Sequence, residues 1–378
     1  MSTLVHSVRL FGSAAVDSDS PEGWALFDGG RVVAAGVGED RPPAAETVDG
    51  SGGCLAPGFI DIHGHGGAGA SFDGGPEAIR TARDVHRTHG TTRAVLSLIT
   101  ATIDDLAGRV AMVADLTEAD PTILGSHLEG PFLDPGHKGA HTESLLRAPD
   151  ADAVEALLAA GRGTIRQVTL APERTGAFDA IRRFTAAGVA VAVGHTDADA
   201  ATARRAFDAG ATLITHAFNA MPGIHHRAPG PVVAALRDER VTLEVIADGV
   251  HVDLALVATL FVAAGDRIAL ITDAMAAAGA ADGSYELGGL AVRVTDGVAR
   301  LVEGGAIAGS TLTQDAAVRH VVSAGVPLAD ALRSASEIPA LAIGRPDLGR
   351  LDIGSVADAV LLDADLGVQR VWIDGNPA

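Results

Sequence analysis

The residues able to do chemistry in this 378-residue chain are mainly imidazoles and carboxylates. They come as His63-Gly64-His65, His127-Leu128-Glu129, His195, His216, Asp248 with His251, and Asp273. Each follows or ends a short apolar run. Neutral imidazole and carboxylate oxygen are common ligands of divalent cations. A set of two histidines and a carboxylate leaves one coordination position open, which catalysis needs and a structural zinc site lacks. Such a cation polarises a carbonyl and lowers the pKa of water toward ~7. An acid beside it, here Asp273, is placed to take the water's proton and pass it to a leaving group. The pattern predicts metal-dependent hydrolysis.

Each residue also has a plainer reading. His63 and His65 can belong to a turn, since Gly66-Gly67 follows. Glu129 can be a solvated loop acid, His195 and His216 core histidines, and Asp273 a helix N-cap, a position that Asp favours. Their shared place at the ends of apolar runs argues against these readings taken together. Residues i and i+2 of a strand point to one face, so both imidazoles of His63-x-His65 can reach one ion. His127 shares a face with Glu129 and is either a ligand or a support behind one. His225 and His226 read as surface histidines. No Gly-x-Ser-x-Gly elbow occurs, and Cys54 precedes the first candidate strand, so a Ser or Cys nucleophile has no support.

Eight apolar runs must position these groups: Phe59–Ile62, Ala94–Ile99, Thr122–Leu128, Gln167–Leu170, Val189–Val193, Thr212–Thr215, Thr242–Ile246 and Arg267–Ile271. Helical stretches lie between most of them, among them Glu77–Thr88, Ala151–Ala160, Ala177–Ala187 and Ala198–Ala209. Strands alternating with helices imply a parallel sheet. Eight of them imply a closed (β/α)8 barrel, whose C-terminal rim collects functional residues from several strands. An open doubly wound sheet is the alternative. It expects a glycine-rich phosphate loop after its first strand, and Gly64-His65-Gly66-Gly67 is a poor one. The chain ends read differently. Asp28-Gly29-Gly30 makes a hairpin turn between Ala25–Phe27 and Arg31–Ala34, and short strands recur at Ala359–Leu362 and Val368–Ile373. The expectation is an α/β protein: a TIM-like (β/α)8 barrel over residues 56–346, and a small β-sandwich domain from residues 1–55 and 347–378.

A net charge of −20 disfavours nucleic acid and anionic membrane as partners. An anionic substrate then needs a local donor cluster, and Arg227 with His251 can supply one. A single cysteine, Cys54, allows no intrachain disulfide and suits a reducing compartment. Met1–Leu10 lacks the apolar core of a signal peptide, and no stretch has the length and purity of a membrane span. A cytoplasmic location is the expectation.

The candidate residues lie within longer motifs. These are Ala56-Pro-Gly-Phe-Ile-Asp-Ile-His-Gly-His65, His127-Leu-Glu-Gly-Pro-Phe132, Gly194-His-Thr196, Thr215-His-Ala-Phe-Asn-Ala-Met-Pro222, Ala247-Asp-Gly-Val-His-Val-Asp253, Thr272-Asp-Ala274 and Ala308-Gly-Ser-Thr-Leu312. By these motifs, and by Gly349–Asp358 near its end, the chain resembles the N-acetylglucosamine-6-phosphate deacetylases of the amidohydrolase superfamily nearly end to end. The resemblance implies hydrolysis of the acetamide of N-acetyl-D-glucosamine 6-phosphate, or alternatively of another N-acyl amino sugar such as N-acetylgalactosamine 6-phosphate. It implies that Glu129, His195 and His216 bind the main catalytic metal and that Asp273 is the acid and base. His63 and His65 fill the positions that hold a second metal in two-metal members, so one or two divalent ions are expected, zinc first, with iron, manganese or cobalt as alternatives. His141, Asn219, Ala220, Arg227 and His251 are implied to contact the phosphorylated amino sugar, Arg227 reaching the neighbouring subunit's site in a homodimer. His137 and Lys138 receive no role. Cyclic amidases of the superfamily carry a lysine at the end of strand four, and Thr169–Arg174 has none. A catalytically dead barrel acting as a scaffold would have lost ligands, and here the whole set is present.

Overall fold

The computed structural model describes residues 2–14, 16 and 20–378, so residues 1, 15 and 17–19 of the expected terminal domain lie outside the described residues. At its centre are strands buried on both faces, which is why they read as continuous apolar runs and not as alternation. Thr91–Ile99 and Ile123–Glu129 are buried along their whole length. The sheet runs in sequence order: Phe59–Asp61, Thr91–Ile99, Ile123–Glu129, Ile165–Leu170, Ala190–Val193, Leu213–Ile214, Thr242–Ile246 and Ile268–Ile271, all pairings parallel. These are the eight strands expected, and they form a TIM-like barrel. The seam between the last strand and the first is closed by other means. Asp61 Oδ2 accepts from Thr272 Oγ1 at 2.6 Å, and Asp273 N donates to the His63 carbonyl at 2.8 Å.

Helices cover the outside: Pro76–Thr88, Ile103–Ala119, Ala151–Gly161, Ala177–Ala186, Ala200–Ala209, Gly230–Leu236, Leu254–Ala264 and, after the last barrel strand, Gln314–Ser323, Leu328–Ser334 and Glu337–Ala342. Ala177–Ala186 shows the logic. It buries Ala177, Ala180, Ile181 and Phe184, the i, i+3, i+4, i+7 stripe of an amphipathic helix. Full burial of Phe184 alone contributes roughly 1.5–3 kcal/mol. Asp150 and Asp199 cap the starts of Ala151–Gly161 and Ala200–Ala209 by accepting from Ala153 N and Thr202 N.

Both chain ends build one further sheet. Its order is Asn376–Pro377, Val368–Ile373, Ala359–Leu362, Cys54–Pro57, Thr3–Leu10, Gly23–Asp28, Arg31–Val37, with Glu46–Asp49 beside Thr3–Leu10. It has its own core of Val5, Leu10, Phe27, Leu361 and Trp372. Arg93, near the start of the second barrel strand, pairs with Asp358 and Asp374 and ties this sheet to the barrel.

Two features depart from the expectation. The first barrel strand stops at Asp61, so His63 and His65 lie in the bend beyond it. After the last barrel strand the chain also makes a three-stranded antiparallel ribbon, Gly283–Leu287, Leu290–Thr295 and Val298–Leu301. Its inner residues Leu287, Val292 and Val294 pack with Ile99, Ala140 and Met275 over the barrel mouth. No helix among the described residues is long and apolar enough to cross a membrane.

Candidate active site

Glu129 is the last residue of the third barrel strand, and its carboxylate sits at the centre of the rim. His63, His195 and His216 bring their Nε2 atoms to 3.3, 3.2 and 3.3 Å from its Oε1. His65 and His141 bring theirs to 3.1 and 3.4 Å from its Oε2. Asp273 Oδ1 lies 3.6 Å from His63 Nε2 and 3.3 Å from His65 Nε2. All seven side chains are buried. The structure thus brings together every expected metal-site residue and Asp273.

Local backbone geometry produces this convergence. His195, His216 and Asp273 have φ of +47°, +26° and +48°, in or beside the small left-handed region that residues other than glycine enter at a cost. Each sits where the chain leaves a barrel strand, and the turn swings its side chain over the mouth. A Cβ added to Gly194 would lie 2.6 Å from Thr215 Cβ, so glycine is what lets the fifth strand approach the sixth. That approach puts the Nε2 atoms of His195 and His216 3.0 Å apart. The His63/His65 pair converges for a different reason from strand alternation. His63 N donates to Asp61 Oδ1 at 3.2 Å, Gly64 N to Ser97 Oγ at 3.1 Å and His65 N to the Ala274 carbonyl at 2.7 Å. These bonds shape the bend so that both rings face Glu129.

The outer ring nitrogens set the inner ones. His195 Nδ1 donates to the His137 carbonyl at 2.9 Å, which turns Nε2 inward toward Glu129. His63 Nδ1 is 3.0 Å from Glu244 Oε2, and His141 Nδ1 is 2.8 Å from Thr100 Oγ1. His63 Nε2 is buried and makes no hydrogen bond. Burial opposes charge on every group here, yet Glu129, Asp273 and Glu244 together hold His63 well above its ordinary pKa. For His65, hydrogen bonds and charge from Asp273 and Glu129 overcome burial and raise it to about 9. Asp273 is held down at about 2, against burial, by His63 and His65. Buried acids that pull protons onto two imidazoles mark a cluster short of positive charge, which a divalent cation supplies. Two groups of donor atoms, each within 4.8 Å of one another, suit an ion: His63, His65 and Asp273, and Glu129, His141 and His195. His216 adjoins the second group. The donor set fits a divalent metal.

His127 is not aimed at this ring. Its Nδ1 bonds Ser97 Oγ and its Nε2 bonds Thr169 Oγ1, both at 2.8 Å, while its edge packs against His63 with centroids 4.5 Å apart. Above the donors is a cavity of about 360 Å³. His65, Glu129, His141, His195, His216, Asn219, Ala220, His251 and Asp273 line it, and Leu287 and Ile307 wall it from the ribbon side. His251 is oriented by Asp248, whose Oδ2 is 2.7 Å from Nδ1. Arg227 does not join them. It lies on an exposed loop outside the cavity of its own chain. His225 and His226 are exposed on the same loop, and Lys138 reaches toward Glu143 at 3.6 Å. The sequence reading passed over Glu244 and Thr100. Glu244 was visible as an acid inside the apolar run Thr242-Leu-Glu-Val-Ile246; Thr100, a polar residue at the tip of an apolar strand, carried no such signal.

Comparison with known proteins supports the same reading. The sequence model of the Amidohydrolase family matches residues 54–378. N-acetylgalactosamine-6-phosphate deacetylase of Escherichia coli O157:H7 is 40% identical over 94% of this chain and 96% of that protein. N-acetylglucosamine-6-phosphate deacetylase of Vibrio furnissii is 37% identical over 85% of this chain and 82% of that protein. Among solved structures, a variant of N-acetyl-D-glucosamine-6-phosphate deacetylase from Mycobacterium smegmatis, in complex with N-acetyl-D-glucosamine-6-phosphate, superposes with a TM-score of 0.94 at 42% identity, covering 100% of this chain and 98% of that one.

Proposed function

The chain belongs to the amidohydrolase family, and on that premise we propose that it hydrolyses the acetamide of N-acetyl-D-glucosamine 6-phosphate to glucosamine 6-phosphate and acetate. The observation that carries this is Glu129 ringed by five imidazoles, with Asp273 against two of them, at the floor of a cavity of about 360 Å³. That volume lies in the range of small-ligand pockets. The names of the relatives supply the substrate class.

In this reading Glu129, His195 and His216 hold the principal ion. His63 and His65, with Glu129 between the two groups, hold a second. Zinc is the first choice, and iron, manganese and cobalt suit the same donors. A divalent ion there supplies charge that polarises the acetyl carbonyl and makes water a nucleophile at neutral pH. Asp273 accepts the proton of the attacking water and delivers it to the sugar nitrogen as acetate leaves. His141, whose Nδ1 lies 2.8 Å from Thr100 Oγ1, stands beside the oxygen that gains charge in the tetrahedral state. Asn219, Ala220 and His251 bind the sugar phosphate from the same subunit. Arg227 serves the neighbouring site of a homodimer, which accounts for its place outside its own cavity. Residues 1–55 with 347–378 act as a small β-sandwich domain beside the barrel of 56–346, and the enzyme works in the cytoplasm.

The galactosamine epimer is the second reading, favoured by the name of the Escherichia coli relative. Acetate release from a substrate panel tests both. Fastest release from the phosphorylated glucosamine derivative supports the first reading. Faster release from the galactosamine epimer selects the second, and release from neither overturns both.

A further inference from the structure

The polar groups beneath the donor ring are arranged around Glu244. It lies in the middle of the seventh barrel strand and is fully buried. Three elements converge on its carboxylate. Oε1 accepts from Gln167 Nε2 of the fourth strand at 2.5 Å. Oε2 accepts from His63 Nδ1 at 3.0 Å and from the backbone N of His216 at 3.3 Å. A carboxylate buried this deeply is costly unless its oxygens are satisfied, and here both accept hydrogen bonds.

We propose that Glu244 is a positioning residue for the ion-binding ring: it fixes the His63 imidazole with the proton on Nδ1 and the Nε2 lone pair toward Glu129, and it determines whether the His63/His65 side retains an ion. The inference rests on the two-ion reading given above. A histidine that ligates through Nε2 must be neutral and carry its proton on Nδ1, and an acceptor at Nδ1 both selects that tautomer and strengthens the ligand. Glu244 is that acceptor for His63. His65 has none, since its Nδ1 is buried without a partner. The His63/His65 side therefore depends on the one ring that is held. His127 packs against His63 edge-on, but both its nitrogens are engaged elsewhere, so it cannot take over the role. The bond to His216 N links Glu244 to the backbone beneath the other group of donors as well. His216 itself is oriented by the strand-end turn described above, so the first ion survives the loss of Glu244.

The test compares the wild-type chain with Glu244→Gln and Glu244→Ala. Each protein is stripped, reloaded with zinc, and characterised by elemental analysis, chelator competition and anomalous diffraction. Two zinc ions are expected in the wild type. Glu244→Ala should retain one, at Glu129, His195 and His216. Glu244→Gln keeps the shape and one acceptor, and should weaken the His63-side ion by about 10–100-fold while leaving the other unchanged. Wild-type count and affinity in both variants would overturn the proposal. A single ion in the wild type would overturn the two-ion reading instead. Glu244 is then judged by the His63 ring in the Glu244→Gln crystal, where an unmoved ring overturns the proposal and a turned ring supports it. If Glu244→Ala does not fold, the isosteric variant carries the comparison alone.

Discussion

The backbone N–H of Asp273 donates to the carbonyl of His63 at 2.8 Å, so the last barrel strand is joined to the segment after the first beside the ring of donor side chains. The same bond sets the Asp273 carboxylate beside the His63 and His65 rings. Changing the side chain leaves that backbone bond in place. Asp273→Asn should therefore keep the fold and most of its metal while turnover falls by about 10²–10⁴, the usual contribution of a general acid and base. Elemental analysis beside an acetate-release assay reads both. Near wild-type turnover would remove Asp273 from the mechanism.

Glu129 touches five imidazoles, more than any other member of the ring. Glu129→Ala should lose metal from both groups of donors, whereas His195→Ala should lose it mainly from its own. Metal content per subunit after dialysis decides. A full complement in Glu129→Ala would exclude it as a ligand.

His127 supports the ring without facing it. His127→Ala leaves Ser97 Oγ and Thr169 Oγ1 short of a partner in a buried space and opens a cavity beside His63. A loss of about 2–4 kcal/mol in unfolding free energy is expected, with the first ion still bound. Urea denaturation and metal analysis together separate this from ligation, in which the ion would be lost at wild-type stability.

Asp315 provides a pH test away from the metal. Burial would raise its pKa, but His89, Thr313 and Arg319 outweigh burial and hold it at about 2, below the ordinary 3.8. A folded pKa below the unfolded one stabilises at pH above the unfolded value and ceases to do so as pH falls through the folded value. Asp315→Asn should cost roughly 2 kcal/mol at neutral pH, and the gap to wild type should close as pH falls from ~4 toward ~2. Denaturation at a series of pH values measures it. A gap that stays constant across that range would show that the stabilisation does not come from ionisation.

The homodimer reading predicts complementation. Arg227→Ala removes a phosphate contact from the partner's site, and Asp273→Asn disables the site of its own chain. Each homodimer should be poor at low substrate. Mixed dimers regain one complete site, so refolding or exchanging the two variants together should restore activity above either alone. No gain on mixing, with dimers shown by sedimentation, would place Arg227 outside the shared site.

Much of this was legible in the chain. The eight strands were legible because strands buried on both faces are largely apolar, as in the runs Ala94–Ile99 and Thr122–Leu128, which the structure extends to Thr91–Ile99 and Ile123–Glu129. His195, His216 and Asp273 stood out because each interrupts such a run at its end. What periodicity does not carry is the turn that aims them: the positive φ values belong to ordinary residues with no sequence mark. His63 and His65 converge by another route than strand alternation, since the strand ends at Asp61 and hydrogen bonds to Asp61, Ser97 and Ala274 bring the rings together. The ribbon at residues 283–301 went unread because its strands are short and half exposed, and their alternation is broken by glycine turns.

That ribbon leaves and rejoins the barrel at one place. Ser310 N donates to the Asp273 carbonyl at 2.7 Å, and Met275 N donates to the Ser310 carbonyl at 2.9 Å. The acid is thus clasped by the two ends of an excursion whose middle walls the cavity. Leu287 packs with Met275, two residues from Asp273, so the wall of the cavity and the carboxylate are mechanically joined. On the function proposed above, a change in this wall is felt one packing layer away at the Asp273 carboxylate.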